Sequence, residues 1–250
     1  MVDLAQLDGT RNSTLGDTEP VKPRRYQLGR ITTIVMRHVL RLILKLELVG
    51  TERVPAAGPV ALVGNHVNFI DPVLAYTIHR RYIKAMTAFE TFRKPLYSYF
   101  AWSVDAIPVK RGTPDHTAIR ACIDALEKGW ALYVAPEGTR SHNGRLQEGR
   151  AGVTLILLHA GTHIPIYPVA FVGLEHLWSN AKRMRRTPAR AVVGEPFYLV
   201  PPAGHVTRPV REQMTAEIMG QIAALLPSEN RGLYADQVGK PPQYLRFSPP

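Results

Sequence analysis

An α/β fold, with a mostly parallel central sheet covered by helices on both faces, is predicted for this 250-residue chain by three observations. Short apolar runs such as PVALVG and WALYVAP recur along it, bounded by Gly, Pro and Asn and too short for helices. Between them lie segments with helix signals, as where Pro114 precedes and Gly129 follows an amphipathic stretch. The composition, 45% hydrophobic and 20% charged, suits one sizeable domain with its own core.

Residues 1–20 are polar, show no apolar period and are expected to be disordered. Residues 21–46 read as a basic amphipathic helix, because seven Lys/Arg and no Asp/Glu are interleaved there with apolar residues. At helical period Leu28, Ile31, Val35, Val39, Leu42 and Leu46 share one face, while Arg30, Arg37, Arg41 and Lys45 gather opposite. The main domain is expected over residues 47–226. Its runs LELVG and PVALVG are strand-like, followed by a helix at about 72–79 and a strand at YIKAMTAF. A helix near TFRKPLYSYFAW leads to the strand DAIPV, and a helix to about Lys128 precedes the strand WALYVAP. The tail, residues 227–250, with PP at 241 and 249, reads as irregular.

The net charge of +11 calls for an anionic partner: nucleic acid, a membrane surface or a phosphorylated substrate. An apolar stripe with a basic edge suits the headgroup layer of an anionic bilayer; the alternative is a helix packed on the domain with its basic face in water. No nucleic acid partner is expected, since the stripe has no use on DNA and no reading motif accompanies it. The second basic run, AKRMRRTPAR, is either a further bilayer contact or a solvated loop. Residues 151–174 contain no Lys, Arg, Asp or Glu, enough to span a bilayer by length. His159, Gly161, His163, Pro165 and Pro168 divide them instead into a helix at about 150–160 and a buried strand at about 164–172. With no secretory signal visible, the expectation is a peripheral protein on the cytoplasmic face of the cell membrane. Cys122 alone excludes an internal disulfide, and no Cys/His group has zinc-ligand spacing, so no metal is expected.

Three strand ends carry chemistry. In GNHVNFID, His66 sits where PVALVG leaves the sheet, and Asp71-Pro72 marks a helix start. A carboxylate beside an imidazole fixes its tautomer and stabilises its charged form, as a general base requires; the alternative is that Asp71 only caps its helix. APEGTRS follows WALYV and offers Arg140 as a phosphate grip, with backbone N–H groups near Gly138 and Thr139. AIPVKRG delivers Lys110 and Arg111 to a third strand end, and ligands bind at strand ends in open α/β sheets.

These blocks resemble those of the glycerolipid acyltransferase family, which includes the 1-acyl-glycerol-3-phosphate (lysophospholipid) acyltransferases. The likeness rests on Asn65-His66 to Asp71, the strand from Ile107 to Arg111, Pro136 to Ser141, and IPIYPVAF, in that order over roughly residues 45–200. It implies transfer of a fatty acyl group from an acyl-CoA or acyl-carrier-protein thioester to the hydroxyl of a lysophospholipid, in phospholipid biosynthesis and without a cofactor. On this resemblance His66 is the base and Asp71 holds its ring. Arg111, Glu137, Gly138, Thr139 and Arg140 bind the acceptor, the arginines facing its phosphate. Two positions depart from the pattern: relatives often carry glycine where Asp105 stands, and commonly an aromatic near Gly149, before the basic-x-Gly unit Arg150-Ala151-Gly152. Other readings are acylation of a different lipid acceptor such as a glycolipid or ornithine lipid, a hydrolase using Ser141 or Ser103, and a non-catalytic anionic-lipid-binding domain. Neither serine lies in a G-x-S-x-G elbow.

Overall fold

Seven strands form one sheet in the computed structural model, which describes residues 25–78, 81–112 and 115–249. The expectations for residues 1–20, for the first turn of the 21–46 helix and for Pro114 lie outside these residues. In chain order the elements are α1 (Tyr26–Ile43), β1 (Leu44–Val49), β2 (Val60–Gly64), α2 (Asp71–Ile78), β3 (Ile83–Ala88), α3 (Pro95–Ser103) and β4 (Ile107–Val109). There follow α4 (His116–Glu127), β5 (Ala131–Val134), α5 (Gly152–Ala160), β6 (Ile166–Val172), α6 (Leu177–Lys182) and β7 (Thr187–Val193). The chain continues with β8 (Tyr198–Leu199), α7 (Arg208–Leu225) and β9 (Leu245–Arg246). The large sheet has the order β1-β7-β6-β2-β5-β3-β4, and all its pairings are parallel except β6 with β7.

The central strands β2, β5 and β6 are buried almost throughout, as a sheet sandwiched between helices requires, whereas β1 and β7 at one side carry exposed residues. In β2, Ala61 and Val63 join one core with α4, α5 and α7, while Val60 and Leu62 join the other with α1 and α2. The crossovers after the adjacent strands β2 and β5 therefore leave on opposite faces, and their loops emerge side by side at one edge of the sheet. That edge is where His66 and the PEGTRS segment stand.

α1 ends at Ile43 rather than at residue 46. Leu44 turns to extended backbone (φ −114°, ψ 145°), so Lys45 and Leu46 lie on β1, paired with Pro188 and Ala189 of β7. The physical reason is that LKLEL alternates as well as it winds, and a neighbouring strand offers it hydrogen bonds along its whole length. Gly29, Met36 and Leu40 face the domain. The stripe expected to be apolar points away from it: Val35 is 56% and Leu42 74% exposed, with Ile31, Ile34, Val39 and Ile43 also in the open. Each such side chain forgoes roughly 1.5–3 kcal/mol of burial free energy. Among the described residues no helix is long and apolar enough to cross a membrane.

Both departures from the family pattern have a structural counterpart. Asp105 has φ 53°, the left-handed region that glycine enters freely and Asp tolerates better than most, and its carboxylate pairs with Lys84 of β3. At Gly149 an added Cβ would lie 2.7 Å from Met219 of α7, and the Gly149 N–H donates to the Tyr234 hydroxyl at 2.8 Å. Tyr234 belongs to the stretch expected to be irregular. That stretch forms 3-10 turns at Ser228–Asn230 and Gly232–Gln237, then β9 against β8, and it places Tyr234, Tyr244 and Leu245 in the core.

Candidate active site

The loop leaving β2 is fixed before any functional group is considered. Asn65 is buried, its amide donating to Phe171 O (2.8 Å) and its oxygen accepting from Phe171 N–H (2.7 Å), which clamps the end of β2 to β6. Asn68 is buried too and donates to Leu174 O at 2.9 Å. Between these two anchors lies His66. Its Nδ1 meets Asp71 Oδ2 at 2.8 Å, and the same oxygen accepts the N–H groups of Val67 (2.6 Å) and Asn68 (2.8 Å). An oxygen that receives two backbone donors is an acceptor, so Nδ1 carries the proton and Nε2 presents its lone pair. Nε2 takes no hydrogen bond among the described residues.

Asp71 is the first residue of α2 and fully buried. Burial pushes its pKa up, against the lowering effect of His66 and the two backbone N–H groups. The carboxylate thus reaches back to hold the imidazole, and does more than cap the helix.

Glu137 does not point toward solvent. It is 2% exposed, its Oε1 accepting the His66 N–H (2.7 Å) and its Oε2 the Gln147 N–H (2.8 Å). Burial raises its pKa, with those two backbone donors opposing. The Ser141 N–H donates to His66 O at 2.7 Å, so the imidazole residue is held on both sides by the PEGTRS segment. Gly138 has φ 67°, and a Cβ there would press on Arg150 at 3.0 Å; its N–H closes the turn on Ala135 O, which removes it from the donors available to a phosphate. The Thr139 carbonyl accepts from Gln147 Nε2 at 3.3 Å.

Arg140, Arg111 and Lys110 are exposed, and none forms an ion pair among the described residues. Arg140 follows β5, the neighbour of β2. Arg111 follows β4, three strands away, which at sheet spacing is roughly 14 Å from the β2 backbone. Around the mouth, Phe69 stacks on Trp178 (centroids 5.5 Å apart, planes 19° apart) and meets Tyr97 edge-on at 5.4 Å. The Ser141 hydroxyl is engaged by Asn143 Oδ1 and that of Ser103 by Phe100 O, so neither is bonded to the imidazole. Composition and spacing do not mark Gln147, Asn65 and Asn68 for the bracing roles they have here. Only Asn65, beside His66 in the block that carries the resemblance, had a signal in the sequence.

This fold, with a histidine and an aspartate joined at a strand end, is that of an acyltransferase: the acyltransferase family model matches residues 45–172, and the chain belongs to that family. The chain is also similar to more particular proteins. The 1-acyl-sn-glycerol-3-phosphate acyltransferase BAT2, chloroplastic, of Brassica napus is 25% identical over 159 residues, covering 62% of this chain and 45% of that protein. The 1-acyl-sn-glycerol-3-phosphate acyltransferase of Borreliella burgdorferi is 25% identical over 143 residues, covering 54% of this chain and 57% of its own. The chain thus spans about half the length of these relatives. The crystal structure of the 1-acyl-sn-glycerophosphate (LPA) acyltransferase PlsC from Thermotoga maritima has the same fold, with a TM-score of 0.59 at 20% identity over 78% of this chain and 77% of that one.

Proposed function

We propose that this chain transfers a fatty acyl group from an acyl-CoA or acyl-carrier-protein thioester to the free hydroxyl of 1-acyl-glycerol-3-phosphate at a membrane surface. The observation that carries this reading is the 2.8 Å His66–Asp71 pair, with Nε2 outward and the residue bonded on both sides to the PEGTRS segment. Nε2 removes the hydroxyl proton as the oxygen attacks the thioester carbonyl carbon; the C–O ester bond forms, the C–S bond breaks, and the proton passes from the imidazolium to the departing thiolate. Asp71 holds the ring and stabilises its charged form. No acyl-enzyme, metal or cofactor takes part.

Arg140 and Arg111 bind the acceptor phosphate from the open side, Arg140 from the neighbouring strand and Arg111 by reaching inward from the edge. Thr139 and Gly138 shape the loop. Glu137 acts as a positioning residue, since both its oxygens are taken by backbone donors. The exposed stripe of α1 lies in the headgroup layer of an anionic bilayer on the cytoplasmic face, where its apolar side chains recover the burial they lack on the domain.

The test is acyl transfer to lysophosphatidic acid in liposomes from a long-chain acyl-CoA, with products identified by mass spectrometry against glycolipid and ornithine-lipid acceptors. His66→Ala is expected to abolish turnover while the circular dichroism spectrum stays that of the parent. Near-normal turnover by that variant would remove the base assignment.

A further inference from the structure

The turn joining α6 to β7 exposes an apolar side chain in an unusual way. Met184 is 95% exposed, and its backbone has φ 52°, a conformation unfavourable for a side chain of this kind. The turn is nonetheless ordered, closed by N–H groups of Arg183 and Arg185 on Asn180 O and of Met184 on Ala181 O, each at 3.0 Å. Lys182, Arg183 and Arg185 flank the tip, all exposed and none in an ion pair among the described residues. One exposed methionine is ordinary on a protein surface. Here it stands inside a continuous surface.

Arg186 supplies the first link. Its Nη2 donates to Arg41 O and Leu44 O, both at 2.6 Å, which pins the turn to the end of α1 beside the exposed Leu42 and Ile43. Trp178 supplies the second: it is 57% exposed on α6 and stacks on Phe69, which lies between His66 and Asp71. Because β7 runs antiparallel to β6, its first residue, Thr187, comes at the sheet edge where β2 and β5 end. The tip, the end of α1 and the rim of the candidate site therefore belong to one edge of the molecule.

We propose that the 183–186 turn is a second bilayer-insertion element, with Met184 entering the acyl boundary, its flanking cations on anionic headgroups and Trp178 at the interface. With α1 it forms a two-point attachment that rests the His66 mouth on the lipid surface. One point of contact leaves the domain free to swing; two fix its tilt. This rests on the membrane-partner reading above and is independent of the acyl-transfer chemistry.

The experiment uses the full chain and vesicles of phosphatidylglycerol and phosphatidylcholine in equal parts. Met184→Cys is labelled with an environment-sensitive nitrobenzoxadiazole; Cys122 is buried and burial pushes its thiol up to about 12, so the label goes to position 184. The label is expected to brighten and shift to the blue on these vesicles, and to stay unchanged with phosphatidylcholine alone. Combined Lys182→Gln, Arg183→Gln and Arg185→Gln replacement is expected to weaken cosedimentation roughly a hundredfold. Met184→Asp is expected to weaken it about tenfold. Both variants should keep the parent melting temperature and the parent turnover on a short-chain, water-soluble acceptor. The proposal is overturned if the chain cosediments while the label stays in a water-like environment, or if both variants partition like the parent. It is equally overturned if nucleic acid competes fully for the turn without a blue shift. Should no acyl transfer be found on any acceptor, the label and the cosedimentation still decide.

Discussion

The loops after β2 and β5 lie side by side and are built in opposite ways. In the first, Asn65, Asn68 and Asp71 are all buried and hydrogen-bonded, so the imidazole is held before any substrate arrives. In the second, one short motif splits: Glu137 turns inward to bond the backbone of the first loop, and Arg140 turns outward with no ion-pair partner among the described residues. Under the proposed function the difference separates two tasks. A group that moves a proton needs fixed geometry, whereas a group that meets a charged ligand needs an unoccupied fork.

The largest effect is expected for Asp71→Asn. Without the carboxylate the ring loses its fixed tautomer, and kcat is expected to fall by about three to four orders of magnitude. A fall under tenfold, measured with saturating substrates, would mean that the pair is only structural. Next comes Arg140→Ala, expected to lower kcat/KM for a phosphate-bearing acceptor about a hundredfold, chiefly through KM, through loss of charge-assisted hydrogen bonds. An acceptor without phosphate should be nearly unaffected; equal losses on both would place Arg140 among the scaffold residues.

Glu137→Gln probes the inward half of the motif. One of two backbone N–H groups would then face an amide NH2, at a cost of about 1–3 kcal/mol in denaturant unfolding, partly offset by removal of a buried charge. The pH dependence carries a second signature. The folded-state pKa of Glu137 is raised by burial, so its contribution to stability is present below its unfolded value near 4.5 and lost as pH rises through the raised value. The melting temperature of Glu137→Gln should therefore fall less than that of the parent as pH is raised from acid to neutral; identical slopes would show that Glu137 is not held in this environment. The smallest effect is expected for Asp105→Gly, within about 1 kcal/mol, because relief of the positive φ is offset by loss of the Lys84 pair and by the added chain freedom of glycine.

The meeting of His66 with Asp71, and the strand and helix that flank them, were legible because each depends on a short-range signal: an apolar run ending at Gly64-Asn65, and a helix start at Asp71-Pro72. The direction of Glu137 was not, since spacing in a turn does not say which side chain folds inward. The end of α1 was misplaced because LKLEL satisfies two periods at once, and only the partner strand β7 decides between them. That strand was hidden in turn by the charges of the basic run, although Ala189, Ala191 and Val193 alternate inward with Arg190 outward. α7, for which no helix was expected, has a plainer trace in Val210, Met214, Ile218 and Ile222, each four residues from the next.

The bond from Gly149 to Tyr234 has a consequence for how the protein is made. Every strand of the large sheet leaves the ribosome before Tyr234 does, so a nascent chain can pair its strands and still lack the hydroxyl that braces the segment after PEGTRS. The brace on this segment is thus among the last parts of the fold that the chain can complete, a latch closed on strands that precede it.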